Sequence, residues 1–149
     1  MNIEINIVNS VLVIFLLGAV IVFMAYKIIE IMNDRRVQEA LINAFGPINY
    51  VRNFSWDQAW QWIKEHDNLM RNGCDALIFK VINNNLSQIL EKFNVDFDRN
   101  RKKYLVITIS RDKAKDFEAS LLVSYKTLDS KLEQKLAPGH GSFLVEGVK

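Results

Sequence analysis

The strongest nitrogen and sulfur ligands in this sequence are two histidines and one cysteine: His66, His140 and Cys74. Zinc sites need three or four such ligands, usually in spaced pairs. Three unpaired residues do not supply one, so no metal site and no cofactor is expected. A thiolate within reach of an imidazole would instead make a nucleophile–base pair, the chemistry of a small hydrolase. Cys74 lies between Gly73 and Asp75 at a break in the pattern. A helix start there would favour the thiolate, and the adjacent carboxylate opposes it. His140 sits in the loop Pro138-Gly139-His140-Gly141, where glycine lets the backbone come close to a ligand. A small turn residue and a tight connection explain both features equally well. His66, Cys74 and His140 are therefore catalytic candidates only if the fold brings them within hydrogen-bond reach.

Other patterns are weaker. Asp96-Phe97-Asp98-Arg99-Asn100 opens like a calcium loop, but Arg101 stands where the sharp turn needs Gly and Ile107 where the bidentate Glu belongs. A polar turn is the better reading. No glycine-rich phosphate cradle is present. Arg99, Arg101, Lys102 and Lys103 form the densest basic patch, with Tyr104 beside it. A patch this short is usually a solvated turn; the alternative partner is an anionic surface, lipid in preference to nucleic acid.

A third group is aromatic. Over residues 55–72, helical steps of 100° put Trp56, Ala59, Trp60, Trp62, Ile63, His66, Leu69 and Met70 in an arc of about 180°. Ser55 and Gln58 complete a capping-box pattern at its start. A helix packed on the domain core explains most of this face. Three indoles exceed what a small core needs, so Trp56, Trp60 and Trp62 are the candidate partner-binding residues.

One stretch determines how these groups are held. Residues 7–26 read I-V-N-S-V-L-V-I-F-L-L-G-A-V-I-V-F-M-A-Y, predominantly apolar and with no charge. Such a helix is about 30 Å long, the thickness of a bilayer's hydrocarbon core. The short segment before it carries Glu4 and no Lys or Arg, and F-M-A-Y-K is a poor cleavage site, so a cleaved signal peptide is disfavoured. Lys27, Arg35 and Arg36 follow the span, which favours a cytoplasmic C-terminal side. The expected organisation is a short tail at 1–6, a transmembrane helix at 7–26, a helical stalk at 27–47 closed by Gly46-Pro47, and a small domain at 48–149.

Glu4 is the one charged side chain ahead of Lys27, so all 19 Lys and Arg and 16 of the 17 Asp and Glu follow the span. That balance argues against nucleic-acid binding as the main role. A single cysteine excludes an internal disulfide framework.

Within the domain, the run at 76–82 fits a strand or a short buried helix, and the flanking turn tips it toward a helical hairpin with Asp75 as its cap. Leu86, Ile89, Leu90 and Phe93 make an amphipathic stripe. Residues 103–110 are rich in β-branched side chains. From Phe117 to Tyr125 apolar and polar residues alternate, so the two segments predict an antiparallel hairpin. Leu128, Leu132 and Leu136 suggest a short helix, and 142–148 a last strand. The expected fold is α+β, with helices packed on one face of an antiparallel sheet.

The function expected from these features is a membrane-anchored, non-enzymatic interaction or assembly module at the inner face of a bacterial membrane, with a protein partner or self-association. The rivals are a small membrane-tethered hydrolase or ligand-binding domain, and an envelope or secretion-complex assembly factor with its domain outside the cytoplasm.

Overall fold

The computed structural model describes residues 2–82, 102–111 and 117–147. It begins with one unbroken helix, α1 (Asn2–Phe45), of 44 residues. This helix is long and apolar enough to cross a membrane, and none of its most apolar window is buried within the chain. A core helix of the same composition would be covered on all sides. The environment changes at Val37. Val37, Ala40, Leu41 and Phe45 recur at three- and four-residue spacing and are buried. Gly46, at a φ of 91°, then ends the helix, a left-handed conformation that glycine adopts without strain.

The other described residues form a five-stranded sheet flanked by short helices. Its strands are β1 (Ile48–Phe54), β2 (Asp75–Lys80), β3 (Lys103–Ser110), β4 (Ala119–Leu128) and β5 (Ser142–Val145). Their spatial order is β1-β4-β3-β2-β5. The β3–β4 pair is antiparallel, with Ile107 opposite Leu121, as the β-branched content of 103–110 and the alternation of Phe117–Tyr125 predict. β2 pairs antiparallel with β3 and β5. Between β1 and β2 run α2 (Trp56–Glu65) and α3 (Asp67–Arg71); α4 (Ser130–Leu136) and a 3-10 turn (Ala137–Gly139) precede β5.

The α+β class holds, and three finer expectations are corrected. First, the sheet is mixed: β1 runs parallel to β4, from Ile48 beside Leu122 to Phe54 beside Leu128. Second, both faces are covered. One carries α1, through Val37, Leu41 and Phe45 against Phe79, Tyr104, Val106 and Leu122. The other carries Ala59, Ile63, Met70, Leu132 and Leu136 on Ile78, Leu105, Ile107, Ile109 and Val123. Burial on both faces is why β3 reads as a continuous apolar run. Third, the run after Gly73 is a strand. Asp75 caps no helix; its Oδ1 accepts the Gly147 N–H at 2.8 Å, which ties β2 to the residues after β5. Gly147 itself admits no side chain, because a Cβ there would collide with the carbonyl oxygens of Cys74 and Met70. The amphipathic stripe at 86–93 and the Asp96–Asn100 turn lie outside the described residues.

Local caps fix the helices over the sheet. The Ser55 hydroxyl accepts the Gln58 N–H at 3.2 Å and the Gln58 side chain accepts the Ser55 N–H at 3.0 Å, the expected capping box. Asp129 joins two elements: its carboxylate accepts the Leu132 N–H of α4 and the Trp56 N–H of α2.

Burial among these helices also affects Tyr125 on β4. Desolvation, followed by the nearby Glu133 carboxylate, pushes its phenol up to about 12 from an ordinary value of 10. Below pH 10 both folded and unfolded chains keep the proton. Between pH 10 and 12 the unfolded chain loses it first, so stability falls as pH rises through that window. Tyr125→Phe should flatten this part of the stability profile, measured as the difference in denaturant midpoint between the two proteins. Identical profiles in wild type and variant would contradict the assignment.

Candidate functional site

The three catalytic candidates are placed apart. Cys74 immediately precedes β2, is 1% exposed, and packs in the core beneath the short helices. His140 is exposed, in a left-handed conformation (φ 53°), just ahead of the β5 residue Ser142, which pairs with Phe79. The two therefore sit at opposite ends of β2, whose six residues put about 17 Å between its ends. That is several times hydrogen-bond reach. His66 ends α2; its Nδ1 lies 2.9 Å from the Trp62 carbonyl oxygen and its ring 4.3 Å from the Trp62 ring. These contacts give His66 a local structural role. Among the described residues no group of acidic, histidine and cysteine side chains could hold a metal ion.

The three tryptophans divide. The centre of the apolar arc is Ala59 and Ile63, which are buried, so Trp60 and Trp62 fall on its two shoulders. Trp56 and Trp60 stack at 5.8 Å, Trp56 meets the edge of Phe143 at 5.8 Å, and the Lys135 ammonium stands 4.3 Å over Trp56. This cluster closes the flank between α2, α4 and β5, with Trp60 still 37% exposed. Trp62 turns to the other side. Helical periodicity could show a wide arc but not that its two edges meet different surroundings.

The side that Trp62 faces is an open groove of about 460 Å³ between α2 and the β1 edge of the sheet. Val51, Phe54, Trp62, Leu121 and Val123 form its apolar floor. Asp57, Gln58, Gln61 and Glu65, all exposed, form its rim on α2. Asn49 closes the strand side, held by an Nδ2 bond to the Leu122 carbonyl. Its lining is thus half apolar, on the floor, and half polar or charged, at the rim. It contains no nucleophile–base pair. Sequence reasoning missed it because its strand wall, β1, shows no period-two alternation; only the seven-residue apolar-polar mixture I-N-Y-V-R-N-F is visible. A larger concavity, about 720 Å³, lies on α1 around Gly18, between Ile14 and Tyr26. It is a notch on a bare apolar helix, with no polar chemistry to offer.

Of the basic patch, Lys102 and Lys103 are exposed at the start of β3. Arg99 and Arg101 lie outside the described residues. Comparison with protein-family models, curated proteins and solved structures finds no match.

Proposed function

We propose that this chain is a single-pass, membrane-anchored interaction module without catalytic activity, its domain facing the cytoplasm. One observation carries the reading. α1 is a single helix whose first part presents bare apolar side chains and whose last turns are built into the domain core. A helix continuous across that change couples the domain rigidly to whatever holds the apolar part, and an uncharged helix of this length fits a bilayer. Lys27, Arg35 and Arg36 support the orientation. The groove supports the interaction role, since it offers shape and charge and no reactive group.

Topology and partnership are tested together in cells. Buried Cys74 gives a silent background, so a thiol placed by Arg111→Cys, an exposed site, reports on the domain alone. Labelling only after permeabilisation is expected. Labelling in intact cells would reverse the orientation and favour an assembly role outside the cytoplasm. A photo-crosslinking residue at Tyr50, 70% exposed on β1, should yield a discrete adduct. A monomer with no adduct there, or on α2 or α4, would overturn the interaction reading.

A further inference from the structure

The groove beside β1 is built for one kind of occupant. β1 stands at the edge of the sheet and pairs only with β4, so its outer row of backbone groups has no sheet partner among the described residues. Such an edge is a template for an added strand. α2 starts one residue after β1, and both elements line the groove along their length, so the helix runs back beside the strand. A chain laid along β1 would therefore point alternate side chains under α2.

The rim sets what those side chains are. Asp57, Gln61 and Glu65 recur every four residues along the α2 edge of the groove. Lys27 pairs with Glu30 and Arg71 with Asp67, and among the described residues neither Asp57 nor Glu65 is paired with a cation. From Asp57 to Glu65 the helix rises about 12 Å. Four residues of a strand advance about 14 Å. Two side chains four apart on an added strand, on its groove side, thus match the two carboxylates, and the one between them faces Gln61 and the apolar floor.

Resting on the interaction reading above, we infer that β1 and the α2 rim capture an extended protein segment of the pattern basic–x–apolar–x–basic, added to the sheet as a sixth strand. Backbone bonds to β1 give the affinity, and the two carboxylates and the apolar floor give the register. A second copy of this chain fits less well. Its own β1 turns Asn49 and Val51 to the groove side, and Arg52 alternates to the opposite face.

The test uses the full chain in nanodiscs of neutral lipid. The probe is a synthetic peptide with the core Lys-Thr-Val-Thr-Lys, and binding is followed by calorimetry and by amide hydrogen exchange over residues 48–54. Saturable binding with slowed exchange in β1 is expected. The double variant Asp57→Asn/Glu65→Gln, which removes both charges at exposed positions without placing a cation in the first turn of α2, should bind about tenfold more weakly while keeping its melting temperature within a few degrees. A peptide with Glu in place of both Lys, and one N-methylated at the core amides, should lose binding to a similar degree. Binding indifferent to the double variant or to N-methylation overturns the inference. So does β1 protection without peptide in a dimer, which would assign the edge to a second copy. If the peptide fails while a crosslinked partner is still recovered in cells, this inference falls and the interaction role stands; if both fail, both fall.

Discussion

A chain that starts at Gly46, without α1, is expected not to fold, whereas one that starts at Asn33 should keep the native sheet and dissolve in water. Val37, Leu41 and Phe45 are each at most 2% exposed. Burying three such side chains contributes about 5–9 kcal/mol. Net stabilities of single domains are about 5–15 kcal/mol, so this contribution decides whether the domain folds. Loss of α1 also uncovers Phe79, Tyr104, Val106 and Leu122 on the sheet. Two more specific contacts go with it: Phe45 packs against Phe79 and Phe117 at 5.9 and 5.6 Å, and the Ser120 hydroxyl donates to the Phe45 carbonyl at 2.7 Å. Residues 3–32 of α1 make no comparable contribution, because their large apolar side chains are about half exposed or more. Thermal unfolding followed by circular dichroism separates the two truncations. A cooperative transition in the Gly46 chain would show that the sheet closes without the helix. At single-residue scale, Leu41→Ala should cost about 2–5 kcal/mol. Leu17→Ala should leave the domain's transition where it is.

The second large effect concerns the bilayer. Leu16 and Leu17 lie at the middle of the uncharged run 7–26 and are exposed on α1. An arginine at the centre of a spanning helix costs about 2.5–3.5 kcal/mol, so Leu16→Arg/Leu17→Arg costs about 5–7 kcal/mol. The variant should leave the membrane pellet and appear in the soluble fraction after an alkaline wash. The domain itself should melt as in the wild type, since neither side chain touches its core. Retention in the pellet would mean that another part of the chain, or a partner, holds it there. Taken together the two experiments should divide α1 by function: substitutions before residue 33 are expected to change where the protein is, and substitutions after 36 whether it folds.

What was readable in advance follows from the range of each interaction. Strand β4 and its pairing with β3 were legible because Phe117 to Tyr125 alternate and residues 103–110 are rich in β-branched side chains. The α2 start was legible because a capping box is a contact within four residues. The end of α1 at Phe45 was legible from Gly46-Pro47 for the same reason. The residues after Gly73 misled. Leu77, Ile78 and Phe79 are apolar in succession because α1 covers one face of β2 and the short helices the other, and an apolar run has no period to distinguish strand from helix. β1 gave no signal because only its end, Phe54, is fully buried.

By itself, then, the sequence determined the local and the compositional: an uncharged helix long enough for a bilayer, the Ser55–Gln58 capping box, the helix break at Gly46, the β3–β4 pairing and the α+β class. These depend on nearest neighbours along the chain and on what residues are present. Only the tertiary structure decided that β1 lies parallel to β4 at the edge of the described sheet, that α1 covers the second face of the sheet, that Cys74 and His140 stand at opposite ends of β2, and that Asp57, Gln61 and Glu65 overlook an apolar floor. Each of those relations joins residues far apart in the chain. They arise when buried faces find each other, and no local pattern encodes which faces those are.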